Sequence, residues 1–430
     1  MTVIDTPALN VAAIRLDFPI LSQKSASGMP LVYLDNAAST QHPQVVIDAI
    51  ADCYGRYYAN VHRGIHTMSE ASTHAFENAR EVVADFLSAA SLREVIFAAG
   101  TTAAINTVAR SWGEANITSA DTILLTIAEH HANIVPWQQL SQRTGCKIVF
   151  LPVADDGTIA DQVVREGLEQ HRPKLFAFVA VSNVLGTEFP VAAWVKLAHQ
   201  YGAIALVDAA QAAPHMPIDV AAWNADFVVF SGHKICGPTG IGVLYGKEAL
   251  LEAMPPFLGG GAMIHRVTTA GFEPAELPDK FEAGTPPITE AIGLAAAIRY
   301  VRGIGLANIH RHEKQLVERA FQQLSAIDGV NVLGPPPAQR AGILSFTVDD
   351  VHAHDVSQWL DTHGVAVRAG HHCAMPLHKR FGVSATCRAS FYLYNREEEV
   401  DVFVAAVREV REKFAKTGRK RTRTPRPSSS

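Results

Sequence analysis

Short, almost unbroken apolar runs recur through the middle of this chain, and they constrain its fold more than any other feature. They are Val95-Ile96-Phe97, Ile123-Leu124-Leu125, Ile148-Val149-Phe150, residues 175–181, residues 203–207 and residues 225–230. Each is too short for a buried helix and too uniformly apolar for a strand with one wet face. Helical stretches separate them, among them one opened by Gly100-Thr101-Thr102 and running to Arg110, and one over residues 137–143. Strands buried on both faces and alternating with helices indicate an α/β fold built on a mostly parallel sheet. Ligands of such sheets bind beyond the carboxyl ends of the strands. Polar residues gather there: Thr101-Thr102, His130, Asn183, Asp208 with Gln211, and Ser231 with His233 and Lys234.

The 430 residues suit two domains. Residues 1–30 read as a leader that packs with the small domain and holds a short helix near 11–15. Residues 31–295 form the large domain, with a strand at 31–34, a helix from Pro43 to Tyr57, a loop at 60–66 and a helix over 69–87. Residues 296–415 form a smaller α+β domain with strands near 330–333 and 342–348, a helix from Asp355 and a last helix over 397–414. The basic, Pro- and Ser-bearing tail 416–430 is expected to be disordered. A net charge of -5 exerts no global pull toward nucleic acid or an anionic membrane. No apolar run reaches the length of a membrane span, and no signal peptide is evident, so a cytoplasmic protein is expected. Cys53, Cys146, Cys236, Cys373 and Cys387 are scattered and odd in number, which argues against a disulfide framework or a structural zinc site.

The residues that carry chemistry cluster at the strand ends and in one later loop. Lys234 ends an apolar run, where burial lowers the pKa of an amine and lets it form a Schiff base with an aldehyde such as pyridoxal phosphate. A strand-end lysine that reaches to water is the alternative. Gly100-Thr101-Thr102 offers a helix N-terminus to an anion, with Ser231 and His233 beside it, although threonine is also an ordinary cap. Asp208 is placed to hold a pyridinium nitrogen protonated, or merely to cap the next segment. Gln211 and Asn183 can reach the ring's phenolic oxygen, and His130 can stack on the ring and exchange protons with substrate. Cys373 sits in Arg368-Ala369-Gly370-His371-His372-Cys373-Ala374, a loop that reads as flexible and partly electropositive. His371, His372, Cys373 and His378 match no common zinc spacing. Arg388, at an expected strand start, suits a substrate α-carboxylate.

With these residues in view the chain resembles the SufS-type (group II) cysteine desulfurases, pyridoxal-phosphate enzymes of the class V aminotransferase fold. The resemblance rests on Tyr33-Leu34-Asp35-Asn36-Ala37-Ala38, Asn60-Val61-His62-Arg63-Gly64-Ile65-His66, Gly100-Thr101-Thr102, Glu129-His130-His131-Ala132-Asn133, Ser182-Asn183-Val184-Leu185-Gly186-Thr187, Asp208-Ala209-Ala210-Gln211, Ser231-Gly232-His233-Lys234, Glu282-Ala283-Gly284-Thr285-Pro286 and the loop from Arg368. It implies fold type I of the pyridoxal-phosphate transferases, with Lys234 bonded to the cofactor and His130 stacked on its ring. Asp208 is implied on the ring nitrogen and Gln211 on the phenolic oxygen. Thr101, Thr102, Ser231 and His233 are implied on the phosphate, joined by Thr285 from a second subunit of a homodimer. Asn183, Arg368, Arg388, His62 and Arg63 are implied in substrate binding. Cys373 is implied as the nucleophile that takes sulfur from L-cysteine as a persulfide, leaves L-alanine, and passes the sulfur to an acceptor of the SufE or SufU type for iron–sulfur cluster assembly. A selenocysteine lyase is the alternative enzyme, and a metal or sulfur carrier using His371, His372 and Cys373 the alternative of another kind. Cys236 and Ala369 depart from the family pattern without removing a reactive group.

Overall fold

Strands β1 (Val95–Ala98), β2 (Thr122–Thr126), β3 (Lys147–Leu151), β4 (Leu175–Val179), β5 (Ile204–Asp208), β6 (Phe227–Ser231) and β7 (Gly242–Gly246) form the central sheet of the computed structural model, which describes residues 9–421. Their order across the sheet is β1-β7-β6-β5-β4-β2-β3. Strands β2 to β6 are parallel, whereas β7 runs antiparallel to both β6 and β1. Every residue of β4 and β6 is buried, which is why both read as unbroken apolar runs. Each such Leu, Val or Phe contributes about 1.5–3 kcal/mol on burial. The expected mostly parallel sheet is therefore present, with β7 as a strand the apolar pattern does not announce. Its first residue explains this. A Cβ on Gly242 would lie 2.5 Å from the Gly100 Cα and 2.6 Å from the Phe230 carbonyl oxygen, so only glycine lets the strand pass that closely.

Register levels the strand ends that matter. Val179 pairs with Asp208 and Asp208 with Val229, so the turns leaving β4, β5 and β6 emerge side by side. Helices Gln44–Asp52, Thr67–Leu87 and Ile288–Ile304 pack together, with Val46, Phe76 and Leu294 in their shared core. The first continues to Tyr57 as expected, but as a wider turn over Cys53–Tyr57.

The second lobe is a four-stranded antiparallel sheet of β8 (Val330–Leu333), β9 (Ile343–Val348), β10 (Arg368–Gly370) and β11 (Thr386–Ser390), ordered β8-β9-β11-β10. Helices Leu306–Ser325, Ala353–Thr362 and Glu397–Arg421 belong to this lobe. Arg388 therefore lies in the middle of a strand, not at its start. Two boundaries differ from expectation. Val32–Tyr33 pairs in parallel with Val365–Ala366, and Leu34 joins the core of the small lobe. Helix Ile288–Ile304 runs unbroken through residue 295, and the chain turns instead at Gly305, whose φ of 91° suits glycine.

The leader docks on the small lobe's last helix: Arg15 pairs with Glu399 at 2.8 Å and donates to the Tyr394 carbonyl, while Phe18 packs edge-on against Tyr394. That last helix does not stop near Phe414. Its basic continuation, rich in good helix formers, stays helical to Arg421, and the rest of the tail expected to be disordered lies outside the described residues. His215 and Glu313, both fully buried, meet across the lobes at 2.9 Å. Among the described residues no single helix is long and apolar enough to cross a membrane.

Candidate active site

A cavity of about 410 Å³ opens where β4, β5 and β6 end, and the Cys373 loop of the second lobe closes one side of it. Lys234 is delivered by a single tight turn, Gly232–Lys234, that follows β6 directly. Burial pulls its amine down to about 8, against the opposing pull of Asp208, and the Arg388 charge adds to the fall. Asp208, the last residue of β5, is raised by burial even though its Oδ1 accepts the Ala210 N–H at 2.9 Å. Gln211 donates to the Ala37 carbonyl oxygen at 2.7 Å. His130 is lowered to about 3 by burial first, then by the Lys234 charge. Its Nδ1 accepts the Ala132 N–H at 3.0 Å, which assigns the remaining ring proton to Nε2.

Opposite Lys234, helix Thr101–Val108 presents its N-terminus to the cavity after Gly100, whose φ is 137°. The Ser231 hydroxyl accepts the Thr101 N–H at 2.8 Å and bonds the Thr101 hydroxyl at 2.7 Å. Thr102 and His233 line the same end, and burial holds His233 down at about 4. Backbone N–H groups, the helix dipole and hydroxyls converging on one corner form a seat for a phosphate.

Cys373 is exposed, whereas Cys53, Cys146, Cys236 and Cys387 are buried. Burial pushes the Cys236 thiol up to about 12, so it is inert at neutral pH. Three hydrogen bonds tie down the Cys373 loop, whose composition suggests flexibility. The His131 N–H donates to the Cys373 carbonyl at 2.7 Å, Asn183 donates to the His372 carbonyl at 2.7 Å, and the Met375 N–H donates to His131 Nε2 at 3.1 Å. His372 and Cys373 are both held at positive φ, 49° and 55°. His371, His372 and His378 do not converge with the thiol. His372 and His378 both bond the Thr386 hydroxyl, and His371 Nδ1 accepts the Cys373 N–H. Among the described residues no His, Cys, Asp or Glu cluster is arranged to hold a metal.

Arg368 and Arg388 are register partners on β10 and β11. Like charges placed opposite each other repel, and Asp35 offsets this by accepting from both, at 2.8 Å and 3.3 Å. Arg388 is buried with its Nε unpartnered, and burial lowers it to about 10. Arg368 is half exposed and committed to Asp35. Three expected residues are not brought to this cavity within one chain. His62 pairs with Glu77 at 2.8 Å, and its N–H donates to Thr73, which folds the loop and exposed Arg63 back onto helix Thr67–Leu87. Thr285 lines a separate hollow of about 440 Å³ beside Glu282. Conversely, Asp35, Ala37, Glu129 and His131 help build the site without having been assigned a part, and His372, weighed only as a metal ligand or carrier residue, bonds Thr386 and Asn183 instead. Their only sequence signal was membership of the motifs quoted above.

The residues present fit pyridoxal phosphate. Gln211 Oε1 and Asn183 Oδ1 are buried acceptors that no protein donor meets, as a phenolic hydroxyl in the cavity requires. The phosphate corner, the buried carboxylate and the depressed amine complete the complement.

A family model described as aminotransferase class-V matches residues 32–403. A Staphylococcus aureus protein named probable cysteine desulfurase is 49% identical over 408 residues, covering 95% of this chain and 98% of that one. One from Streptomyces coelicolor, of the same name, is 49% identical over 415 residues, covering 94% and 98%. The solved apo structure of a cysteine desulfurase from Thermococcus onnurineus NA1 superposes with a TM-score of 0.89 at 40% identity, covering 95% of this chain and 99% of that one.

Proposed function

Because the chain belongs to the class V aminotransferase family, we propose that it is a pyridoxal-phosphate-dependent cysteine desulfurase, taking sulfur from L-cysteine, releasing L-alanine and holding the sulfur on Cys373. The observation that carries this reading is the meeting of an exposed thiol, Cys373, with the half-buried, depressed amine of Lys234 in one cavity built from two lobes.

When bound, pyridoxal phosphate supplies an aldehyde for an amine and a ring that accepts the electron pair left on carbon. The chain's own residues do the rest. Lys234, with a pKa near 8, exists partly as free amine at neutral pH, ready to act as nucleophile and to move the substrate's α-proton at Nζ. Neutral His130 offers a flat face and a proton on Nε2. Asp208 supplies the negative charge for a ring nitrogen, and Thr101, Thr102, Ser231 and His233 the phosphate corner. Arg388, braced on Asn183 and Asp35, has an open Nε for the substrate carboxylate. Cys373 thiolate attacks the substrate sulfur: an S–S bond forms, the C–S bond breaks, and the electron pair stays with carbon until it takes a proton. The persulfide then passes to an acceptor protein of the SufE or SufU type. The working form is a cytoplasmic homodimer in which Thr285 completes the phosphate corner of the other subunit, and iron–sulfur cluster assembly is the use of the sulfur.

The test is a purified, yellow protein whose colour bleaches with borohydride and leaves label on Lys234. Cys373→Ala should keep the colour and lose sulfur release; full release from that variant would overturn the reading. Comparing cysteine with selenocysteine separates a desulfurase from a lyase selective for selenium.

A further inference from the structure

The turn that carries His130 begins on a carboxylate for which the reaction above has no use. Glu129 is fully buried. Its Oε1 accepts the Thr126 hydroxyl at 2.5 Å and the Val179 N–H at 3.1 Å, and its Oε2 accepts the Asn133 amide at 2.7 Å. The Thr126 oxygen also accepts the Ala128 N–H at 3.1 Å, and a second bond fixes the sense of the Asn133 contact. The Asn133 carbonyl oxygen accepts the Trp137 indole N–H at 2.9 Å, so its NH₂ end must face Glu129. Burial pushes the Glu129 carboxyl up to about 8, against the opposing pull of the Thr126, Asn133 and Val179 bonds, and its two oxygens are held from three sides.

The donors come from the end of β2, the end of β4 and the far side of the turn, so Glu129 gathers three segments at one point. What that turn carries is the relation between the two halves of the site. His130 faces the cavity, and His131 holds the Cys373 loop through its N–H and its Nε2. We infer that Glu129 is a positioning residue that sets the His130 ring and the Cys373 loop relative to one another. This rests on the roles proposed above for His130 and Cys373.

Glu129→Gln keeps the shape but must aim an NH₂ at one of three donors. Adding Asn133→Asp turns the facing donor into an acceptor and leaves Trp137 an oxygen to bond, so the double variant regains every hydrogen bond. In the full-length, cofactor-loaded protein, E129Q should speed hydrogen exchange at the His131 and Met375 amides by about tenfold. Sulfur release should fall by about 10- to 100-fold, and E129Q/N133D should recover both. Parent-like exchange and turnover in E129Q, or a double variant no better than the single, would overturn the inference. Exchange is read without turnover, so a parent that releases no sulfur from cysteine would sink the proposed reaction while the exchange data still judge the positioning.

Discussion

The backbone N–H of His131 donates to the carbonyl oxygen of Cys373 across 2.7 Å, so the residue with the exposed thiol is tied at its own carbonyl to the turn that carries His130. The turn that carries His130 and the Cys373 loop come from different lobes, and this bond joins them. Asn183 adds the second tie, to the carbonyl of His372.

Asn183→Ala removes that second tie and leaves the phosphate corner untouched. Sulfur release should fall by about 10- to 100-fold, while the cofactor stays bound through Lys234 and the phosphate corner and only its absorbance maximum shifts with the loss of the Asn183 Oδ1 acceptor. Loss of the cofactor together with activity would show that Asn183 holds the ring and not the loop.

The pH response of the cofactor-free protein follows from Lys234. Its folded pKa, about 8, lies below the ordinary 10.5, so its contribution to stability is complete above 10.5 and is lost as pH falls through 8. The rate at which the apo protein takes up pyridoxal phosphate should rise with pH through about 8 and then level. Stopped-flow absorbance would read this directly, and a midpoint near 10 would mean the amine is not desolvated.

Arg388→Lys keeps one positive charge but loses the planar fork that bonds Asn183, Asp35 and an incoming carboxylate at once. KM for cysteine should rise at least about tenfold, with a smaller rise for Arg368→Ala, because Arg368 is already engaged with Asp35. Steady-state kinetics on the two variants would reverse the assignment if Arg368 proved the more costly.

Glu313→Ala leaves His215 buried without its partner between the lobes. Burial raises Glu313 to about 7, and leaving its buried hydrogen-bond partner unsatisfied costs about 1–3 kcal/mol, to be measured as a shift in the urea midpoint of unfolding. A shift within about 0.5 kcal/mol, the range of ordinary surface substitutions, would show that the lobes do not depend on the pair.

How much of this was legible in the sequence depended on whether a residue's partners were local. β4 and β6 could be read because burial on both faces leaves a run of apolar letters. β7 could not, since Gly242 and Gly246 bracket it like turn residues, and only contact with Gly100 explains the first. Lys234, Asp208 and Thr101 were legible because strand ends of a parallel sheet share one edge. His62 and Arg63 shared a motif with no such geometry, and the side-chain bonds of Thr73 and Glu77 take their loop elsewhere. The part proposed for Glu129 was hidden because Val179, fifty residues away, becomes its neighbour only when β2 lies beside β4, and the letters do not show that Thr126 and Asn133 turn toward it.

His372 and Cys373 occupy the left-handed region in succession, a conformation that costs a non-glycine residue about 1–3 kcal/mol. Bonds from His131 and Asn183 offset that cost. The strain of two adjoining residues thus rests on two bonds, one from each of two different strand ends of the large sheet, so the loop keeps its shape only while both lobes are in place.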